Sequence, residues 1–247
     1  MKWATVIVAA GRGARLGRPK QFLEIAGLPM VGWSIQTFAA MNEIAEIVIA
    51  TEPELIEAMR ELARRLAAEC PVRLVGGGAL RQDSVFAGLR EVSSDCDAVL
   101  VHDGARPLVC ATDVRAGMRQ VRTGRAALLA APVIDTIKSV EPQSRRVTAT
   151  LDRRSLWAAQ TPQFALTGEL RVAHERARRD GWTVTDDAAL LERAGVEVVV
   201  VPPTSENFKV TFPADIARAE AILETRRASP SDDILSPSTP LRPAQRR

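Results

Sequence analysis

Short, unbroken apolar runs recur along this 247-residue chain, each followed by a stretch of helical period. The clearest are VIVAA at 6–10, AVLV at 98–101 and VEVVVV at 196–201. A strand with one wet face alternates apolar and polar residues, so runs apolar throughout point to strands covered on both faces. Strand candidates are 4–10, 45–50, 72–76, 97–102, 126–131 and 196–202. Helix candidates lie between them near 30–41, 54–69, 83–92, 112–123, 168–180 and 187–194. Such alternation predicts an α/β fold, a doubly wound, mostly parallel sheet between layers of helices. The punctuation agrees: Thr185-Asp186-Asp187 can cap the run that Gly195 closes, and Pro213 suits the first turn of a last helix.

Two segments leave this rhythm. Residues 132–160 hold two strand-like runs, PVIDTIKSV and RRVTATL, around a turn at Glu141-Pro142-Gln143-Ser144. A hairpin arm leaving the sheet must bury its faces elsewhere, and a second subunit is the simplest partner, so a homodimer is expected. Residues 226–247 carry Pro230, Pro237, Pro240 and Pro243 among serines and arginines, a composition that predicts disorder. The expected organisation is one domain over 1–225 followed by this tail.

Charge narrows the function classes. The tail carries five arginines and two aspartates, which equals the net +3 of the whole chain, so residues 1–225 are formally neutral. With neither a basic body nor interleaved aromatics, a nucleic-acid binder is not expected. No apolar run approaches the ~20 residues that span a bilayer, so no membrane role is expected. Met1-Lys2-Trp3 runs straight into a strand candidate, so no leader peptide is expected. Three cysteines without metal-ligand spacing suit the reducing cytoplasm.

The run VIVAAGRGARLGRPKQF at 6–22 delivers backbone N–H groups and positive charge to one point, which suits a triphosphate. Its glycines also satisfy the spacing G-x-G-x-x-x-G, but the context opposes a dinucleotide fold. Pro19 falls where that fold needs helix, and no acidic residue closes the following strand at 45–50; the nearest to that place, Glu52, lies about twice the usual ~20 residues from the glycines. No Gly-Lys-Ser/Thr ends the loop, so it is not a Walker A element either. Arg15 and Lys20 are placed to neutralise a reacting phosphorus, whereas Arg12 and Arg18 read as solvated loop charges. The chain has only four lysines (2, 20, 138 and 209) against a large excess of arginine, which draws attention to Lys20.

Further constellations follow in order. In Gly76-Gly77-Gly78-Ala79-Leu80-Arg81-Gln82-Asp83-Ser84-Val85, glycines let a base lie against backbone, and Ser84 can bond a pyrimidine edge. Asp83 and Ser84 can equally well be helix caps. Val101-His102-Asp103-Gly104-Ala105-Arg106-Pro107 ends a buried strand, where ligands bind in open α/β sheets. Asp103 can orient an acceptor hydroxyl or hold magnesium, and the Arg106 fork can clamp a phosphate or carboxylate; alternatively the two pair with each other. By the period-2 rule His102 points away from Asp103 and reads as a packed neutral histidine. His174, in an Arg- and Glu-rich stretch, reads as a surface residue. Histidines so placed argue against a zinc site or a hydrolase triad.

Together these segments resemble the 2-C-methyl-D-erythritol 4-phosphate cytidylyltransferase family over about residues 3–225. The resemblance rests on Ala9-Ala10-Gly11-Arg12-Gly13-Ala14-Arg15-Leu16 with Pro19-Lys20-Gln21-Phe22, on the two constellations above, and on Ala131-Pro132-Val133-Ile134-Asp135-Thr136-Ile137-Lys138. Asp152-Arg153-Arg154-Ser155-Leu156-Trp157, Gln160-Thr161-Pro162-Gln163-Phe164 and Glu206-Asn207-Phe208-Lys209-Val210-Thr211 complete it. It implies a Rossmann-like nucleotidyltransferase fold with a protruding β-hairpin arm, CTP and methylerythritol phosphate as substrates, and Mg²⁺ as cofactor. Arg15 and Lys20 would stabilise the transition state at the α-phosphate. Ala9, Ala10, Gly11, Gly13, Gly78, Ser84, Ala105 and Lys209 would bind the nucleotide. Asp103, Arg106, Thr136, Arg153, Thr161 and Lys209 would bind the acceptor and phosphates, Thr136 and Arg153 reaching the partner subunit's site. Lys138 reads as a solvated arm residue. Another polyol phosphate such as ribitol 5-phosphate is the competing acceptor. The short spacing from Arg15 to Lys20 and the apolar Ala79 depart from many members.

Overall fold

The structure, a computed structural model, describes residues 1–11 and 19–228. Arg15 and Gly13, and the tail beyond 228, lie outside the described residues. The strands are β1 (Trp3–Ala9), β2 (Glu24–Ile25), β3 (Leu28–Pro29), β4 (Ile44–Thr51), β5 (Val72–Gly76) and β6 (Ala98–Asp103), then β7 (Arg125–Pro132), β8 (Lys138–Val140), β9 (Val147–Thr150), β10 (Trp157–Leu166) and β11 (Glu197–Val201). The helices are α1 (Met30–Ala39), α2 (Ile56–Leu66), α3 (Arg81–Glu91), α4 (Ala111–Met118), α5 (Thr167–Asp180), α6 (Asp187–Arg193) and α7 (Pro213–Ala228).

Seven strands form the main sheet in the order β11-β7-β10-β6-β1-β4-β5. Every neighbouring pair is parallel except those made by β10, which runs antiparallel to both β6 and β7. Successive residues along β1 serve opposite faces. Ile7 and Ala9 join Val31, Phe38, Ile49 and Leu100 on one side, while Ala4 and Val6 join Val48, Val85, Val99 and Leu170 on the other. That two-sided burial is the physical meaning of the unbroken apolar runs, and it makes the sheet doubly wound.

β10 departs from the sequence expectation, which placed its first residues in the excursion and assigned no strand beyond. Its polar letters disguise it: Gln163 is buried because its amide donates to Asp186 Oδ2 at 2.9 Å and accepts from the Ala188 N–H at 2.9 Å. The arm itself is present, β8 and β9 forming a separate antiparallel pair. α7 continues to Ala228, three residues past the expected domain end, and Arg226 is tied to the Leu108 carbonyl at 2.7 Å. Asp186 caps α6 by accepting from the Ala189 N–H, as its position before the helix predicts.

Candidate active site

The carboxyl ends of β1, β4, β5 and β6 converge on a cavity of about 980 Å³. Ala9, Ala10, Gly11, Lys20, Gly78, Ser84, Asp103, Ala105 and Lys209 all line it, so the structure brings together nine residues singled out from separate segments. Gln21, Glu52, Gly77 and Arg81 line it as well. The glycine turn after β5 is required by close approach: a Cβ on Gly77 would lie 2.2 Å from that of Ala10.

Ser84, the fourth residue of α3, is not the cap its sequence allowed. Its hydroxyl accepts from the Gly78 N–H at 3.0 Å and donates to the Leu80 carbonyl at 3.2 Å, fixing the turn that forms one cavity wall. Asp83, the third residue of α3, takes the capping role, reaching back to accept from the N–H of Leu80 at the N-cap.

The centre of charge is Asp103, at the end of β6. Oδ1 accepts from Arg81 Nε at 3.0 Å and Oδ2 from Lys209 Nζ at 2.8 Å. Burial opposes its ionisation, but Arg81 and Lys209 overcome that and hold its carboxyl well below the usual carboxylate range. Arg81 reaches on to Asp187 at the start of α6, donating to Oδ2 at 2.8 Å. Burial works against the charged guanidinium, yet Asp187 and Asp103 outweigh it and raise its pKa.

Arg106 is not the partner of this carboxylate. Its fork donates to the backbone carbonyls of Asn207 at 2.8 Å and Ala159 at 3.5 Å, and burial lowers its pKa. Neither Arg106 nor Thr161 lines the cavity. Thr161 stands behind Asp103, its hydroxyl accepting from the Asp103 N–H at 3.0 Å. His102 lies 3.2 Å from both the Thr161 hydroxyl and the Arg106 carbonyl. Because that carbonyl only accepts, Nε2 carries the proton, Nδ1 is an acceptor, and Thr161 donates to it. His102 is fully buried and burial lowers its pKa to about 3, so it is the packed, neutral histidine its strand position predicts.

His174 corrects the expectation of a surface residue. It is fully buried, 3.3 Å from Asp187 Oδ1 and stacked on Phe86. The charged composition of α5 hides a buried stripe of Leu170, Ala173, His174 and Ala177 at helical spacing. Thr136 and Arg153 are exposed on the arm and away from the cavity. Arg153 donates to the Ile134 carbonyl, while Lys138 Nζ donates across the hairpin to Thr150 at 2.7 Å.

Neither Arg81 nor Asp187 was read from the sequence as a site residue, Asp187 having only the role of a helix-cap candidate. A signal existed for Arg81: a cation on the first residue of a helix opposes the helix dipole and implies an anion brought from elsewhere. The distant Asp187 could not be paired with it from spacing alone.

A metal fits this site poorly as a protein-held ion. Among the described residues no group of three or more His, Cys, Asp or Glu side chains could hold one. Asp103, the candidate ligand, has both oxygens engaged by cations.

The model of the family described as 2-C-methyl-D-erythritol 4-phosphate cytidylyltransferase (IspD) matches residues 3–225. The enzyme of that name from Gloeobacter violaceus is 43% identical, across 92% of this chain and 98% of its own length. That from Halalkalibacterium halodurans is 41% identical, across 90% of this chain and 97% of its own. The crystal structure of the Thermus thermophilus enzyme superposes with a TM-score of 0.70 at 34% identity, covering 91% of this chain and 100% of that one. With a family match over nearly the whole expected domain, the chain belongs to the 2-C-methyl-D-erythritol 4-phosphate cytidylyltransferase family.

Proposed function

We propose that this chain transfers the cytidylyl group of CTP to 2-C-methyl-D-erythritol 4-phosphate, giving 4-diphosphocytidyl-2-C-methyl-D-erythritol and pyrophosphate. The observation that carries the reading is the cavity in which Gly11, Lys20, Gly78, Ser84, Asp103 and Lys209 meet. A phosphate oxygen of the acceptor attacks the α-phosphorus; that P–O bond forms as the bond to the β-phosphate bridging oxygen breaks. The nucleophile is already an anion, so no strong general base is needed, in keeping with a histidine sealed behind the cavity wall. The problem to solve is repulsion between anions, met by cations and positioning.

In this reading Lys20 stabilises charge on the α-phosphate, with Arg15 as its expected companion from the loop outside the described residues. Ala9, Ala10, Gly11, Gly78, Ser84 and Ala105 seat the nucleoside, with Gly13 expected beside them. Lys209 holds phosphate while Asp103 orients the acceptor. Thr161 and Arg106 act from behind Asp103, through its backbone and the adjoining carbonyls. A divalent cation, if the reaction uses one, would be held mainly by the oxygens of the triphosphate and would offset their charge.

The arm extends the reading to a homodimer, and the three free, buried cysteines suit the reducing cytoplasm. Ile134 is 82% exposed, and Val140, Val147 and Trp157 are also exposed large apolar residues on or beside the arm. Such a surface suits burial against a second copy, and the exposure of Thr136 and Arg153 suits delivery into the partner's site. Among the described residues no helix is long and apolar enough to cross a membrane.

The test is pyrophosphate release across four nucleoside triphosphates and several polyol phosphates, with Lys20→Ala in parallel. Release is expected only with CTP and methylerythritol phosphate, and Lys20→Ala is expected to be ~10²–10³-fold slower. Preference for ribitol 5-phosphate would overturn the acceptor; near-normal turnover of the variant would overturn the role of Lys20.

A further inference from the structure

The cavity wall has a second layer of charge that the reaction as described leaves unused. Arg81 spans it, with Nε on Asp103 and Nη1 on Asp187. Asp187 has a side chain only 3% exposed and makes no contact with the cavity. Its other oxygen lies 3.3 Å from Nε2 of His174; as the carboxylate only accepts, that nitrogen donates. His174 is in turn fixed by its stack on Phe86, ring centroids 5.9 Å apart and planes at 20°. The chain Phe86–His174–Asp187–Arg81–Asp103–Lys209 thus runs from the packed face of α5 to an ammonium in the cavity.

Geometry gives this chain a purpose. A guanidinium facing a lone carboxylate takes both oxygens in a fork. Here Asp187 holds Nη1 and so sets the plane of the guanidinium: Nε alone reaches Asp103, on Oδ1, while Nη2, the other half of a fork with Nε, is buried without a partner among the described residues. Oδ2 is left for Lys209, at 2.8 Å. Without the counter-charge behind it, Arg81 would close on Asp103 as a fork and displace the ammonium, or swing into the cavity toward the phosphates.

We propose that Asp187, held by His174, is a positioning residue that acts through Arg81 to keep one oxygen of Asp103 on Lys209. The inference rests on the cytidylyltransferase reading, because Lys209 matters only if phosphates occupy the cavity. Misplacement of a group in a reacting constellation by about 1 Å costs ~10²-fold in rate. Asp187→Asn, which keeps shape and removes charge, is therefore expected to lower kcat by about 10- to 100-fold, with the KM for CTP changed less than about threefold.

Two comparisons separate positioning from mere stability. Arg81→Gln with Asp187→Asn should be no slower than Arg81→Gln alone, because Asp187 acts only through Arg81. His174→Gln, whose amide N–H stands in for Nε2–H, should recover most of the turnover that His174→Leu loses; this pair remains informative if Asp187→Asn does not fold. All rates are taken on protein whose melting shows it folded. The proposal is overturned if folded Asp187→Asn keeps wild-type kcat, if the double variant shows the product of the two single losses, or if the two His174 variants turn over alike. Wild-type protein that releases no pyrophosphate from CTP and methylerythritol phosphate would instead refute the functional reading.

Discussion

Asp103→Asn isolates the electrostatic centre of the site, and its effect on stability has a definite sign. The wild-type carboxylate, buried in the cavity wall, accepts one bond from Arg81 and one from Lys209. A hydrogen bond to a charged group contributes about 1.5–3 kcal/mol. The Arg81 bond counts in full, because Arg81 is three-quarters buried; the Lys209 bond counts for less, because its side chain is 41% exposed and solvent screens it. The amide keeps a weaker bond to one of the cations but leaves them facing each other. The expected loss is about 2–3 kcal/mol, and for a domain of this size that lowers Tm by about 4–12 °C.

The pH dependence follows from the same contacts. The folded carboxyl titrates below its unfolded counterpart, so its stabilisation is complete above the unfolded value of about 3.9 and is lost as pH falls toward the folded value. Thermal unfolding of both proteins at pH 7, 5 and 3 should give a constant gap at the two higher values and a smaller one at pH 3. A variant that melts at or above wild type at pH 7 would refute the reasoning, because the carboxylate would then be a liability tolerated for function and not a brace between two cations.

Other perturbations probe other links. Gly117→Ala would put a Cβ 2.2 Å from the buried Phe164 ring, whereas at Gly168 nothing lies within 4 Å; denaturant titration should show the former losing about 2–3 kcal/mol and the latter less than about 0.5. His102 has a folded pKa near 3, against about 6.5 unfolded. The unfolded chain alone binds its proton between those values, so wild type should lose about 2 kcal/mol between pH 6.5 and 5 that His102→Gln does not; equal losses would contradict the buried neutral form. Sedimentation should find wild type dimeric and Ile134→Asp with Val147→Glu monomeric, and a monomeric wild type would dismiss the arm interface.

How much of this was legible in the sequence depended on where the energy came from. Strands covered on both faces announced themselves through apolar runs, and β5 has the bounds 72–76 that its pattern implied. β10 did not, because Gln160, Thr161 and Gln163 read as loop; Thr161 and Gln163 are buried only because backbone and side chains from β6 and α6 satisfy their polar groups. The cavity floor was likewise legible, since the glycines, Lys20, Asp103 and Lys209 sit in dense local motifs. What lay behind it was not. Arg81 and Asp187 are 106 positions apart, and the charges that mark each as solvated in the sequence are what allow them to be buried together.

The central claim is attack at the α-phosphorus of CTP by an acceptor phosphate, and isotopic label follows it directly. Labelled at the α-phosphate, CTP should pass its label into a diphosphate product only when methylerythritol phosphate is present, while label at the γ-phosphate should leave entirely as pyrophosphate. Transfer of γ-label to the acceptor, or release of α-label as CMP without it, would contradict the account.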